Sequence, residues 1–187
     1  MCPWTPAASS IEYFWKTFEE VDFVIHSIYA GAPTAGGEAA WDTVAGDTLV
    51  AINAHDLHKL KMPLGGEWAT LPHDNESIIA IPEMSLQMQC LNFLRQHTYS
   101  DQYDYTHLRT FYGAAQDVSQ RVDRCLERLR MAFMCAADLT PILRIGHVDG
   151  KQGWDLKTLH KCRNVEKLQF WSAGKAVGGV AEGSILL

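Results

Sequence analysis

Apolar residues recur at helical spacing in two stretches near the middle of the chain. Between Asp117 and Ala137 they lie three or four positions apart, which predicts one apolar helix face. The residues of this face are Val118, Val122, Cys125, Leu129, Phe133 and Ala136. Pro141 would end the helix, and the segment Leu86–Gln96 predicts a second one.

Shorter elements are predicted before this helical centre. A first helix is expected at Ser9–Ile28, where a serine can cap the start and aromatic residues share one face. Further short helices are expected at 38–44 and 55–61. The best strand candidates are the segments 68–71 and 77–81.

The pattern becomes irregular after Pro141. We expect a short helix near 156–162 and a flexible, glycine-rich tail at about 176–187. A chain of 187 residues is long enough for one domain with a substantial core. The expected fold is therefore mainly α with a small β element, an α+β class, in a single compact domain spanning 1–187.

Composition narrows the range of partners. The net charge is −6 and the isoelectric point is near 5.7, so we expect no nucleic-acid partner. No apolar run reaches the roughly 18–20 residues of a membrane-spanning helix. The start, MCPWTPAASS, lacks the pattern of a signal peptide. Either the protein has no membrane anchor, or an anchor precedes Met1, and the expected partner is a small molecule.

Five blocks, in this order, resemble the UstYa-like proteins of fungal secondary metabolism. They are PWTPAASSIEY (3–13), YAGAPTAGGEAAWD (29–42), CLNFLR (90–95), CLERLRMAFMCAADLTP (125–141) and LHKCRN (159–164). The resemblance spans nearly the whole chain and implies a UstYa-like domain that follows a membrane anchor. It also implies the lumen of the secretory pathway for an anchored protein, and the cytoplasm is expected otherwise.

The chain departs from that family at its metal-binding positions. The family carries two HxxHC motifs, in which paired histidines at i and i+3 can reach one copper ion. The corresponding segments here read Leu86-Gln87-Met88-Gln89-Cys90 and Arg121-Val122-Asp123-Arg124-Cys125. Leucine cannot ligate, glutamine is a poor copper ligand and arginine repels a cation. We therefore expect neither a metal nor another cofactor.

Both motif cysteines, Cys90 and Cys125, are retained. The resemblance implies that they have a structural role. Cys125 and Cys135 would lie about 15 Å apart on one helix, too far to bond each other. Two pairings remain open, 90–125 with 135–162 or 90–135 with 125–162. The alternative is four buried free thiols at Cys90, Cys125, Cys135 and Cys162.

The same departures supply candidate catalytic residues. Spacing alone favours a solvated stripe of arginines on the long helix, paired with carboxylates of that helix. The resemblance instead directs Arg121 and Arg124 into a cavity with Gln89 opposite. There they would donate hydrogen bonds to a substrate carbonyl. His160, in the last block, is a candidate general base.

Four further residues are expected to contact the substrate: Leu86, Tyr105, Asp123 and Trp154. Ordinary loop packing is the alternative for the tyrosines around Tyr105. Burial in the core is the alternative for Trp154, as for Trp15 and Trp41.

These expectations favour a metal-independent cyclase or isomerase, with a pericyclase such as a Diels–Alderase as one form. Such an enzyme would fold a polyene, terpenoid or polyketide intermediate in an apolar cavity. One alternative is a copper-dependent oxidase or halogenase with ligands from His55, His58, His107 or His160. Another is a non-catalytic partner of a tailoring enzyme, and a homodimer is left open.

Overall fold

The computed structural model describes residues 4–18, 27–46, 48–63, 65–148 and 151–177. Its α-helices in these ranges are α1 (Ala35–Val44), α2 (Glu83–Thr98), α3 (Ala115–Ala136) and α4 (Val165–Gly174). Short 3-10 helices lie at Ala8–Ser10, Ala54–Leu60 and Arg109–Phe111. The helices predicted at 38–44, 55–61, 86–96 and 117–137 are thereby confirmed.

The strands form small antiparallel sheets between and beside these helices. They are β1 (Tyr13–Thr17), β2 (Val50–Asn53), β3 (Thr70–Leu71), β4 (Asp74–Ala80), β5 (Leu143–Val148), β6 (Lys151–Asp155) and β7 (Leu159–Arg163). Strand β4 lies between β2 and β3, β1 pairs with β7, and β5 pairs with β6. The predicted α+β class is confirmed. No helix within the described ranges has the length and apolar character needed to cross a bilayer.

Local chemistry sets where the helices begin and end. Thr34 Oγ1 accepts the Gly37 N–H at 3.0 Å and caps α1. Asp117 Oδ2 accepts the Ala114 N–H at 2.8 Å at the start of α3, just after Gly113 with its φ of 102°. Helix α3 ends at Ala136 and is followed by Ala137, whose φ of 40° is left-handed.

The core is centred on a disulfide between Cys90 of α2 and Cys125 of α3. These two cysteines and Phe93 are each 1% exposed or less. The partly buried residues packed against them are Leu94, Phe111, Val118, Val122 and Leu129. The apolar face predicted for α3 therefore meets α2 along its first half.

The predicted cysteine pairings are only half right. Cys90–Cys125 belongs to the pairing that also joined 135 with 162, but Cys135 is an exposed free thiol and Cys162 a half-buried free one. The expectation of four buried thiols is wrong as well. The α3 face ceases to be covered near its end, where Phe133 is 72% exposed, and Cys135 shares that uncovered end.

A second contact, between α1 and α2, is ionic. Arg95 Nη1 and Nη2 each donate to one Glu38 oxygen at 2.7 Å, and Tyr105 Oη donates to the same carboxylate at 3.1 Å. The Glu38 and Arg95 side chains are only 16% and 11% exposed. The hydrogen bond from Arg95 lowers the pKa of Glu38, while burial raises the pKa of Tyr105. The Arg95 guanidinium also lies 5.2 Å from the centre of the Trp41 ring.

The predicted helix at Ser9–Ile28 is wrong where it can be tested. Residues 13–17 form β1, antiparallel to β7, and residues 19–26 lie outside the described ranges. Aromatic residues favour strands as well as helices, so the long-range partner decided the outcome. Trp15, for which core burial was the alternative, is 65% exposed on this strand.

The region after Pro141 is more regular than predicted. The helix expected near 156–162 is wrong, because 159–163 is strand β7 with alternating burial. Strands β2, β5 and β6 and helix α4 were missed. Helix α4 starts after Asn164, whose side chain accepts the Lys167 N–H at 3.1 Å. Most of the tail predicted at 176–187 lies outside the described residues.

Removal of the disulfide should greatly destabilise the domain. The bridge closes a loop of 35 residues, for which chain entropy alone gives about 3–4 kcal/mol. We expect Cys90→Ala with Cys125→Ala to lower the free energy of unfolding by that amount in urea titrations. The matched control is Cys135→Ala with Cys162→Ala, which should cost less than about 1 kcal/mol. Equal losses in both double variants would contradict the observed pairing.

The Glu38–Arg95 pair should make stability depend on pH. The pKa of Glu38 is lower in the folded state, so its contribution is present above the unfolded value of about 4.5 and is lost as the pH falls through the folded value. Glu38→Gln should cost about 2–3 kcal/mol at pH 7 and less in acid. Glu127→Gln, which breaks an exposed pair with Arg130, is the control and should change stability far less than Glu38→Gln. A pH-independent loss for Glu38→Gln would refute this role.

Candidate functional site

The two motif segments are brought together by the disulfide. Gln89 immediately precedes Cys90 on α2, and Arg124 immediately precedes Cys125 on α3. Leu86 lies one helical turn before Gln89 on α2, and Arg121 lies one helical turn before Arg124 on α3. Of these four positions, only Gln89 lines the cavity described below. Their side chains, one aliphatic, one amide and two cationic, do not fit a copper ion.

Arg121 is engaged with the backbone. Its Nη1 donates to the carbonyl oxygens of Thr110 at 3.2 Å and Tyr112 at 2.6 Å. The arginine thus holds the 108–112 segment against α3, which positions one wall of a cavity. Arg124 is exposed on the same helix. Arg128, one turn further, pairs with Glu83 of α2 at 2.8 Å.

A cavity of about 390 Å³ lies between α1, α2 and the 3-10 turn at 109–111. Its lining residues are Asp42, Ala45, Gly46, Gln89, Asn92, Phe93, Gln96, Leu108, Arg109 and Thr110. Six of these ten carry polar or charged side chains. This cavity therefore differs from the apolar one expected, since amides and charges line it together with Ala45, Phe93 and Leu108.

The α2 wall of the cavity is a stripe of amides. Gln89, Asn92 and Gln96 are spaced at i, i+3 and i+7, so they share one helix face. Asn92 Oδ1 accepts the Arg95 Nε–H at 3.0 Å, and Gln96 hydrogen-bonds to Glu38. Gln89 Nε2 differs from them, because it is buried and has no hydrogen-bond partner among the described residues. A buried amide donor left unpaired costs about 1–3 kcal/mol, and Gln89 is the member of the stripe whose donor has no partner among the described residues.

The four predicted substrate contacts do not line this cavity. Tyr105 is 2% exposed and packs face-on against Phe111, with ring centres 5.6 Å apart. Leu86 is half-buried on α2, and Asp123 is exposed on α3. Trp154 is 62% exposed on β6, so the alternative that it is buried in the core is also wrong. Gln89 is thus the one predicted site residue that the cavity contains.

His160 lies elsewhere, on β7, and is only 8% exposed. Its Nδ1 is 3.0 Å from Asp138 Oδ2, and Phe18 stacks on the imidazole with ring centres 4.3 Å apart. Hydrogen bonds from the Thr140 side chain and backbone, with that of His160, lower the pKa of Asp138 to about 2. The carboxylate is therefore charged, while His160 Nε2 is buried without a partner among the described residues.

A second cavity, of about 240 Å³, lies under the 27–34 loop beside Glu38, Trp41 and Arg95. Trp41 Nε1 donates to the Tyr29 carbonyl at 3.1 Å, and the two rings meet edge to face. Gly31 has a φ of 94°, which favours glycine. These contacts explain the YAGAPTAGGEAAWD block as a structural unit.

The histidines at 55, 58 and 107 do not assemble a metal site with other residues of the described ranges. His55 and His58 are exposed in the 3-10 helix, and His58 Nδ1 lies 2.5 Å from the His55 carbonyl oxygen. His107 is exposed as well. Within the described ranges, no three His, Cys, Asp or Glu side chains converge as ligands.

Sequence reasoning missed several residues of these sites. Asn92 and Gln96 continue the spacing of Gln89, so an amide stripe along a helix was a readable signal. The roles of Asp42 and Asp138 could not be predicted from the sequence, because each residue reaches its site through tertiary contacts between distant segments.

Comparison with known proteins agrees with the block resemblance. The chain is 27% identical over 183 residues to the UstYa family oxidase phomYc of Diaporthe leptostromiformis, covering 96% of this chain and 72% of that protein. It is 27% identical over 186 residues to phomYc' of the same fungus, covering 96% and 64%. It is 31% identical over 192 residues to the transacylase cctO of Talaromyces islandicus, covering 93% and 60%. The chain thus spans between 60% and 72% of the lengths of these relatives.

No solved structure matches the chain significantly. The family model described as "Mycotoxin biosynthesis protein UstYa" matches residues 1–175. That match covers nearly the whole chain. The chain therefore belongs to the UstYa family of mycotoxin biosynthesis proteins.

Proposed function

We propose that this chain is a tailoring enzyme of fungal secondary metabolism that cyclises or isomerises an intermediate without a metal ion at the motif positions. The observation that carries the proposal is the donor set at those positions. Gln89 lines the cavity and its Nε2 is buried without a partner among the described residues, while Arg121 is committed to backbone carbonyls.

The cavity suits an intermediate that carries carbonyl groups. A carbonyl oxygen placed against Gln89 Nε2 would satisfy the unpaired donor and become more electrophilic as charge develops on it. The other two amides of the stripe offer further sites for orientation. Ring closure or a double-bond shift then needs chiefly a folded near-attack geometry, which can lower the barrier by several kcal/mol. A pericyclic cyclisation, including a Diels–Alder closure, is one reaction of this kind.

The named activities of the relatives bear on the choice of reaction. Two relatives are named oxidases and one is named a transacylase, so the activities named within the family are not all oxidative. An oxidase that used other ligands would need three converging donors, and the described residues offer no such group. Metal-independent chemistry is therefore favoured.

The direct test uses the intermediate that accumulates when this gene is deleted from a producing fungus. The full-length protein, treated with chelator, should convert it to a product of equal mass. Gln89→Leu should reduce turnover by about 10- to 100-fold, because it removes the donor to the developing charge. The same change should leave the free energy of unfolding unaltered or raise it by about 1 kcal/mol, since it removes an unpaired buried amide.

Gln87→Leu is the matched control, because Gln87 is an amide on the same helix that bonds to Glu83 at 3.4 Å and does not line the cavity. It should retain full turnover. A product that forms only after copper is restored would overturn the proposal. If the full-length protein does not convert the intermediate without chelator treatment either, the proposal is also overturned, in favour of a non-catalytic partner role.

A further inference from the structure

The two-stranded sheet of β1 and β7 has one face that is open to solvent. Side chains alternate between the two faces of a strand, and the antiparallel register sets Lys161 opposite Trp15. The positions that share this face are Tyr13, Trp15, Thr17, Leu159, Lys161 and Arg163. All of them are exposed except Thr17, which is half-buried. We call this surface the aromatic–basic face.

A contact between side chains supports this assignment of the face. Lys161 Nζ lies 4.7 Å from the centre of the Tyr13 ring, which is its diagonal neighbour in the register. Trp15, between them, is 65% exposed and offers most of its indole to solvent, and Leu159 is 54% exposed. The face therefore combines two aromatic rings and an aliphatic side chain with two cations beside them.

The charge of this face is opposite to that of the chain as a whole. The net charge of the protein is −6, whereas the positions of the aromatic–basic face include two cations and no carboxylate. Glu12, which precedes the face, is paired with Lys167 of α4. A positive patch on an acidic protein indicates an anionic partner. A symmetric dimer through this face is disfavoured, because it would set like charges opposite each other.

We propose that the aromatic–basic face binds the surface of a membrane that contains anionic phospholipids. Tryptophan and tyrosine are the side chains that concentrate at the membrane–water interface, where their rings lie at the level of the head groups. Lysine and arginine near the surface are attracted to anionic lipids. A protein partner fits this face less well, since lysine is depleted in protein–protein interfaces. A nucleic acid is disfavoured by the net charge of the chain.

This contact is peripheral and reversible. It uses two cations and three apolar side chains at the interface, and it requires no membrane-spanning segment. The aromatic–basic face shares no residue with the amide-lined cavity. The proposal therefore goes beyond the cyclase or isomerase function and stands independently of it.

The test measures partitioning of the 187-residue chain onto vesicles by co-sedimentation. One set of vesicles contains phosphatidylcholine alone, and the other contains phosphatidylcholine and phosphatidylserine at about two to one. We expect partitioning at least about 10-fold stronger onto the anionic vesicles, and a decrease as sodium chloride is added, because salt screens the attraction. Tryptophan emission should shift to shorter wavelength on binding, as a ring leaves water.

Removal of the two cations should weaken this partitioning. Lys161→Gln with Arg163→Gln should reduce it about 30-fold, since each cation near an anionic surface contributes about fivefold. The matched control is Lys59→Gln with Lys61→Gln, which removes two exposed cations of the same spacing at the end of the 3-10 helix Ala54–Leu60. It lowers the net charge equally and should change partitioning by less than about twofold.

Removal of the indole tests the aromatic part of the face. Trp15→Ala should weaken partitioning at least about fivefold and remove most of the emission shift, because binding scales with the apolar area placed in the interface. The matched control is Trp154→Ala, since Trp154 is similarly exposed on another two-stranded sheet, that of β5 and β6. This control should partition like the unaltered chain.

Three results would overturn the proposal. Equal partitioning onto both kinds of vesicle would exclude attraction by the two cations. Losses in the controls as large as those in the face variants would show that any exposed cation or tryptophan suffices. Loss in the charge variant with full retention in Trp15→Ala would indicate a soluble polyanion or an acidic protein as the partner instead.

If a variant fails to fold, the dependence of the unaltered chain on lipid charge and on salt still decides the question. None of these results bears on turnover in the amide-lined cavity, so the two proposals fail separately.

Discussion

The disulfide between α2 and α3 is the constraint on which the rest of the structure depends. Its two sulfurs and Phe93 form the most deeply buried part of the described chain, and the apolar face of α3 packs onto them. The covalent link restricts the unfolded chain and so adds to the stability that this packing provides. The same link determines which side chains meet, because the residue before each bridged cysteine is a motif position. Stability and the candidate site thus share one element.

The resemblance implies a motif in which cysteines have a structural role and histidines bind a metal. This chain has the cysteines of that motif but not its histidines. The bridge keeps the helices in place, while the positions at which the resemblance implies histidines carry other side chains. Arg121 braces the wall of the cavity through backbone carbonyls, and Gln89 is one of the residues that line it. The outcome is a pocket whose chemistry lies in hydrogen-bond donors, with the Glu38–Arg95 pair supporting its α1 side.

The sequence predicts those parts of the fold that depend on local periodicity. Helices α1, α2 and α3 follow from their apolar spacing, and the α3 face was identified residue by residue as far as Leu129. The prediction fails where a distant partner decides the structure. Residues 13–17 are aromatic enough for either a helix or a strand, and pairing with β7 makes them a strand. Among the predicted site residues, Gln89 is the one that lines the cavity. It lies on α2, a helix that the sequence predicts. Tyr105 was expected at the substrate and instead lies in the core, where Glu38, from a segment 67 residues away, accepts its hydroxyl.

Copper content measures the central claim most directly. The full-length protein would be saturated with Cu²⁺, desalted and analysed for metal per chain by plasma mass spectrometry. The companion sample would be the variant Leu86→His, Gln89→His, Arg121→His, Arg124→His, which restores an imidazole at each motif position. The account predicts far less than one copper ion per unaltered chain and a rise toward one in the variant. One tightly held copper ion per unaltered chain would contradict it.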